Sequence, residues 1–379
     1  MYLPYSIVSN QMLSEKELLQ VMALLSMPNF GDTLIKKLIH RVGSVEGIFK
    51  EKKSKLEKIE GVGPLRIKGL NPEHYLKRSE REWYYMQEQG IAYRYFLDAN
   101  YPKRLLHCID GPVLFFQKGH IDLENKKLLS IVGTRRATRY GIDFCESLLD
   151  ALQPLNPVVV SGFAYGIDIT AQKKAAELGL QTVGCLAHGF DEVYPKTHKR
   201  YMDRFMEHGG FITEFWSDDL FDRKNFLRRN RIIAGLSEAT IVVESAEKGG
   251  SLVTADIAHS YNREVFAVPG RADDPQSKGC NDLIKSQKAH MLTSAADLVY
   301  VLNWQIESQK PKAKQPPLFV ELIGEEKIVY EYLKSSNREL LDIIAIDCGL
   351  PVFKVAGILL NLEMKGLIRP LPGKVFEAV

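Results

Sequence analysis

Residues 128–141 read LLSIVGTRRATRYG. An apolar run ends in one glycine, two arginines follow, and a helix-like stretch begins. A buried strand that turns through glycine into a helix presents backbone N–H groups to an anion, so the layout predicts a phosphate site. The pattern repeats outward from it. Short β-rich runs recur as PVVVSG, QTVGCLAHG, FITEF, ATIVVES, EVFAVPG and HMLTS, most of them separated by helical stretches such as GIDITAQKKAAELG and GSLVTADIAHSYN. Strands alternating with helices, with connections long enough for crossovers, predict a doubly wound α/β domain over 128–304 whose parallel sheet is covered on both faces.

The bulk of the chain bounds what surrounds this domain. A length of 379 residues allows two or three domains, and 45% hydrophobic with 26% charged residues is ordinary for a soluble protein. A net charge of +3 confines any nucleic-acid surface to a local patch. No apolar stretch is long enough to span a membrane, and MYLPYSIVSNQMLSEKE lacks the form of a signal peptide. Cys108, Cys145, Cys185, Cys280 and Cys348 are scattered and form no CxxC, which predicts small core residues, a cytoplasmic setting and no metal cluster.

Residues 11–70 carry apolar residues at helical spacing, and residues 71–127 are aromatic and irregular in pattern. QKPKAKQPPLF at 309–319 reads as a linker, after which a helical pattern restarts and ends in two extended pieces around a Pro-Gly turn. The expected domains are 1–75, 76–304 and 325–379, with 305–324 as the linker.

Ligands of such sheets bind beyond the C-terminal ends of the strands. Gly133, Thr134, Arg135, Arg136 and Arg139 follow the first strand, and Ser161, Gly162 and Gly166 the second. Lys196, Lys199 and Arg200 come after the third, and Arg228, Arg229, Asn230 and Arg231 precede the fifth. Gly249, Gly250 and Ser251 open a helix after the fifth. A dinucleotide site requires GxGxxG and an acid ending the second strand; the loop here is GTRRAT and that strand ends in Ser161-Gly162. No GxxxxGK[ST] is present either. A free nucleotide could use the glycine turns, but so many cations suit a row of phosphates better. Asp168, Glu214, Glu244 and Asp191 are the candidate acids for a catalytic role, which nothing in the sequence demands.

The middle third resembles the DprA/Smf family, the DNA-processing protein A family. The resemblance rests on SIVGTRRAT, VVSGFAYGIDITAQ, FDEVYPKTHKRY, ITEF, FLRRNRIIAGLSEATIVVESAEKGGSLVTADIAHSYNREVFAVPG and GCNDLIKSQKAHML, in that order, with YPKRLLHCIDGPVLFFQKG upstream. It implies an extended Rossmann-like domain that binds single-stranded DNA, loads the RecA recombinase in natural transformation, forms a homodimer and has no established enzymatic activity or cofactor. Carried over by motif, the phosphate-binding positions are Gly133, Thr134 and Arg135; Ser161, Gly162 and Gly166; Lys196; Arg229, Asn230 and Arg231; and Gly249, Gly250 and Ser251. Tyr165 and Gln172 stand where the family commonly has Arg and His.

LEKIEGVGPLRIKGL at 56–70 looks like a helix-hairpin-helix, whose glycines would let backbone N–H groups meet a DNA phosphate. MPNFGDTLIKKLI looks like a degenerate copy, with Asn29 in place of the first glycine. Residues 325–379 resemble a winged helix but hold seven Lys/Arg against eight Asp/Glu, and PVFKVAGILLNLEMKG is mostly apolar. That composition favours a protein-contact or regulatory role over duplex reading. The apolar stretch around Leu283, Ile284, Met291 and Leu292 fits either a dimer face or core. The alternative from another class is a phosphoribohydrolase or N-glycosidase of the lysine-decarboxylase-like type. That class carries PGGxGTxxE, which EKGGSLVTAD only partly matches.

Overall fold

All seven β-rich runs from residue 128 onward become strands of one nine-stranded sheet. The computed structural model describes residues 13–124, 126–304, 322, 324–336, 338–371 and 374–378, so most of the expected linker lies outside the described residues. The chain divides into two units, residues 1–305 and 306–379.

In the first unit the strands are β1 (Ala92–Tyr95), β2 (Leu114–Gly119), β3 (Leu128–Val132), β4 (Val158–Ser161), β5 (Thr182–Cys185), β6 (Gly210–Thr213), β7 (Ala239–Val242), β8 (Glu264–Ala267) and β9 (His290–Met291). Their spatial order is β1-β2-β6-β5-β4-β3-β7-β8-β9. The seven strands from β6 to β9 pair in parallel, and β1 and β2 add an antiparallel edge. The chain winds from β3 through β4 and β5 to β6, then crosses to β7, β8 and β9 on the other side. The order reverses between β3 and β7, which places a crevice at their C-terminal ends.

Alternation along β3 shows how both faces are covered. Leu128 and Val132 join one apolar core while Leu129 and Ile131 join the other. Between them the Ser130 hydroxyl donates to the Ile233 carbonyl at 2.7 Å. One face carries α8 (Arg139–Leu152), α9 (Ile167–Glu177) and α14 (Ala295–Val301). The other carries α11 (Lys224–Leu236), α12 (Gly250–Ser260) and α13 (Lys278–Lys285), with the short α7 (Lys103–Leu106) against α11. The short α10 (Met202–Glu207) packs at β6. Leu283 and Leu292 are core residues and Ile284 is half-buried; of that apolar stretch only Met291 is exposed.

The N-terminal helices are α1 (Glu15–Leu25), α2 (Asp32–Val42), α3 (Val45–Lys50), α4 (Lys53–Leu56), α5 (Pro64–Lys68) and α6 (Glu73–Gln89). Ser14 and Glu17 form a reciprocal capping box at the start of α1. Residues 71–127 are more regular than their pattern indicates, because they hold the 17-residue α6 and the strands β1 and β2. The apolar core of these helices is continuous with one face of the sheet. Gly61 (φ 78°) and Gly63 (φ 61°) form the hairpin before α5, and Asn29 (φ 65°) takes the left-handed position in the degenerate copy. Asparagine tolerates that conformation better than other non-glycine residues.

The second unit has α15 (Glu325–Ser336), α16 (Leu341–Asp347), α17 (Val352–Met364) and an antiparallel sheet of β10 (Arg338–Leu340), β11 (Ile368–Leu371) and β12 (Val375–Ala378). This is a winged helix with one more short strand than the two-piece wing expected. Val355, Ile358, Leu359 and Leu362 of α17 fill its core, while Phe353, Leu360 and Met364 are exposed.

Candidate functional site

Three helices begin at the C-terminal ends of the parallel strands, and their N-termini are not equivalent. The loop after β3 packs too tightly for a larger residue at its first position: a Cβ on Gly133 would lie 2.5 Å from Ile167. Thr134 donates its N–H to the Glu244 carbonyl at 2.7 Å. The N-terminus of α8 already holds an anion, the buried carboxylate of Glu244. It accepts the Thr138 N–H at 2.8 Å and the Thr138 hydroxyl at 2.5 Å. Thr138 in turn caps the Gly141 N–H, and a Cβ on Gly141 would collide with Glu244. A negative charge at this helix end is favourable, and here the protein supplies it.

The mouth of α9 is closed by backbone. Ile167 donates to the Thr134 carbonyl at 3.2 Å and Ile169 to the Ala164 carbonyl at 3.2 Å. Gly166 (φ 76°) allows the close approach, since its Cβ would sit 2.1 Å from the Thr134 oxygen. Buried Asp168 accepts the Gly162 N–H at 3.1 Å; burial pushes its carboxyl pKa up, against the opposing pull of Arg229. The Ser161 hydroxyl is turned inward and donates to the Ile131 carbonyl at 2.6 Å.

The mouth of α12 is open. Gly249 and Gly250 are exposed, the helix has no side-chain cap, and nothing lies within 4 Å of where a Gly250 Cβ would stand. Behind it the Ser251 hydroxyl donates to Ser245 at 3.0 Å, and the Asn230 amide donates to the Gly250 carbonyl at 3.3 Å.

Exposed cations and aromatic rings share this edge. Arg135, Arg136 and Lys196 are exposed. The Arg135 guanidinium lies over the Phe226 ring at 5.5 Å. Phe226, Tyr194 and Phe221 form a cluster with centroid separations of 5.2–5.7 Å. Tyr165 shares a hydrogen bond of 3.1 Å with Thr197, next to Lys196, and packs edge-on to His198. His198 is buried and donates from Nδ1 to the Phe163 carbonyl at 2.9 Å, and burial lowers its pKa. His188 supports the following loop by accepting the Tyr194 N–H at 3.2 Å. Arg139 is spent on Asp143 along the α8 surface at 2.9 Å.

The arginines of α11 do not all reach that edge. Arg229 is 3% exposed and donates to the carbonyls of Gly162 and Cys185, holding two strand ends together. Arg231 is 7% exposed and bridges Asp32 of α2 at 3.1 Å and Glu214, with a further bond to the Asp110 carbonyl. Both side chains therefore face inward, and a phosphate on the rim meets neither guanidinium directly. Arg228 is half exposed, pairing with Glu214 at 2.9 Å and lying over Phe215 at 5.3 Å. Burial pushes the Glu214 carboxyl up while Arg231 and Arg228 draw it back down. The candidate acids Asp168, Glu214 and Glu244 are thus engaged by N–H groups or arginines and none faces open solvent, whereas the fourth, Asp191, is exposed. Gln172, the other departure from the family pattern, is fully buried and donates to Thr182 at 3.3 Å.

Sequence reasoning missed Tyr194, Phe221 and Phe226. Their signal is aromatic residues interleaved with basic ones in YPK and LFDRKNFLRR. It also missed Asp32, which lies 199 residues from Arg231 and carries no local mark. Among the described residues no group of three or more His, Cys, Asp or Glu is placed to hold a metal ion. No single helix among them is long and apolar enough to cross a membrane.

Comparison with known proteins agrees with this architecture. The sequence model of the DNA recombination-mediator protein A family matches residues 92–303, and that of the DprA winged helix domain matches residues 313–374. Protein Smf of Escherichia coli is 34% identical over 277 residues, covering 72% of this chain and 74% of that protein. DNA processing protein DprA of Bacillus subtilis is 38% identical over 213 residues, covering 56% of this chain and 71% of that one. Among solved structures, DprA of Streptococcus pneumoniae aligns with a TM-score of 0.62 at 29% identity, covering 74% of this chain and 95% of that one. DNA processing protein A of Helicobacter pylori, whose structure addresses its single-stranded DNA binding mode, aligns with a TM-score of 0.51 at 27% identity, covering 56% of this chain and 95% of that one. On its fold, its motifs and its relatives, this chain belongs to the DNA recombination-mediator protein A (DprA/Smf) family.

Proposed function

We propose that this chain is a cytoplasmic binding protein that lays single-stranded DNA across the strand-end rim and loads a RecA-type recombinase onto it as a homodimer. The observation that carries the DNA reading is the contiguous set Arg135–Phe226–Tyr194 beside Lys196 and the open mouth of α12. Cations neutralise backbone phosphates, and exposed rings stack on bases whatever their sequence, at roughly 1–3 kcal/mol per base. The H. pylori relative supports the same ligand class. Loading of the recombinase and dimerisation rest on the family resemblance alone.

The phosphate-binding set in this reading is Arg135, Arg136 and Lys196 as side-chain contacts, with Arg228 at the margin. Gly249, Gly250 and Ser251 supply backbone. Gly133, Thr134, Ser161, Gly162, Gly166, Arg229, Asn230 and Arg231 shape and brace the loops. A glycosidase would need a free carboxylate at the pocket, whereas both Glu244 oxygens are engaged by Thr138.

Fluorescence anisotropy with labelled oligo-dT at several salt concentrations tests the reading. An Arg135→Ala/Lys196→Ala double variant should bind at least tenfold more weakly. Its salt slope should be shallower by about 1.4, two phosphate contacts at about 0.7 each. Wild-type affinity and slope in that variant would refute the assignment.

A further inference from the structure

A second cationic recess lies on the other side of α11, where the helical layer meets the sheet. It is a cavity of about 680 Å³ lined by Lys37, Arg66, Arg228, Gly61 and the first turn of α2. Gly31 begins α2 with no side-chain cap, and Asp32 in the first turn offsets part of the positive charge of that helix end. Lys37 and Arg66 converge on the hairpin glycine. The Lys37 ammonium lies 3.3 Å from where a Gly61 Cβ would stand, and Arg66 donates to the Gly61 carbonyl at 2.8 Å. Among the described residues neither cation has an ion-pair partner.

The carboxylates on the wall, Asp32 and Asp110, offset only part of this charge. Asp32 accepts the Val113 N–H at 2.7 Å through one oxygen and Arg231 at 3.1 Å through the other. Asp110 accepts the Tyr261 hydroxyl. Arg228 gives part of its fork to Glu214 and leaves half its side chain exposed. Helix end, hairpin turn and three cations from three separate elements thus face one space.

We propose that this cavity binds a backbone phosphate of the same DNA strand that lies on the rim, so that the strand crosses the exposed first turns of α11 and ends against the helix-hairpin-helix. The proposal rests on the DNA reading above and extends it. Phe226 meets the rim and Arg228 meets the cavity from the same two turns of one helix. Leu227 is exposed between them, and Lys224 is exposed one turn before Arg228. The phosphate chemistry could equally come from a free nucleotide, and the experiment separates the two sources.

The test compares the full-length wild type with Lys37→Glu/Arg66→Glu, and with Lys37→Gln/Arg66→Gln as the milder pair, on dT6 and dT30. The wild type should gain affinity from the longer strand, and the charge-reversed pair should lose most of that gain. Its dT30 salt slope should fall by about 1.4, and the Gln pair should give a smaller change in the same direction. Equal dT30 affinity and slope in all three proteins overturns the proposal while leaving the rim intact. Failure of the wild type to bind either strand overturns the rim reading itself. Thermal stabilisation of the wild type by dTMP that both variants lose, with dT30 binding unchanged, assigns the cavity to a free nucleotide and also overturns it.

Discussion

The N-termini of α8 and α12 open on the same edge of the sheet, follow glycine-containing loops, and differ in one respect. At α8 the buried Glu244 carboxylate accepts from Thr138, so the helix end is neutralised from within. At α12 the Gly249-Gly250 turn is exposed and uncapped, with open space beside Gly250. A loop sequence alone does not distinguish the two, because the neutralising group at α8 comes from 106 residues away. The arginine that follows the β3 loop is therefore less a helix-mouth anchor than a rim residue seated on Phe226. The same division runs along α11, where Arg228 is half exposed and Arg231 is locked between Asp32 and Glu214.

The sharpest way to break this division is to remove a charge on the settled side. Arg231→Ala leaves buried Asp32 without its ion-pair partner and Glu214 with Arg228 alone, and the expected loss of stability is about 3–5 kcal/mol. Urea unfolding should show it as a lower midpoint. A loss near zero would mean that Arg231 is not a structural arginine and should be restored to the rim.

Glu244→Gln comes next. It removes the charge from two charge-assisted bonds at the α8 mouth, and the expected cost is about 1.5–3 kcal/mol by the same measurement. Oligo-dT affinity should stay within twofold of wild type. Base release from nucleoside monophosphates by the wild type, abolished in this variant, would instead return the enzyme reading.

A smaller effect is expected at Lys36, which is buried near Asp32 and over the Phe96 ring. Burial lowers its pKa to about 8 from an ordinary 10.5, with Asp32 opposing. The unfolded chain therefore binds more protons than the folded one between about pH 8 and 10.5. Lys36 costs stability below that window, and the cost disappears as pH rises through it. Lys36→Met should be more stable than wild type at pH 7 by roughly 1–3 kcal/mol, and the gap should close by pH 10.5. A gap independent of pH would show that Lys36 is not held in that state.

Much of the fold was legible because period and composition act locally. The runs LLSIV, VVVS and ATIV are dominated by apolar residues with one small buried hydroxyl each (Ser130, Ser161, Thr240), as strands covered on both faces are, and each became a central parallel strand. The edge pair β1 and β2 escaped notice because LFFQKG neither alternates nor stands beside a crossover helix. The site was legible as a set of loops, since fold topology alone brings strand ends together. What each side chain does there was not. Arg229 and Arg231 share the RRNR run with Arg228, yet both reach into the protein toward carbonyls and acids fixed by distant segments.

The uncapped N-terminus of α12 is what separates it from α8, and a single substitution makes α12 resemble α8. Gly250→Asp places a carboxylate where the space is empty and where a helix N-terminus welcomes it, so the fold should gain about 0.3–1 kcal/mol. Oligo-dT affinity, measured by anisotropy at fixed salt, should fall more than tenfold as that carboxylate repels the phosphate. Unchanged affinity in a protein of equal or greater stability would contradict the claim that a DNA phosphate occupies this helix end.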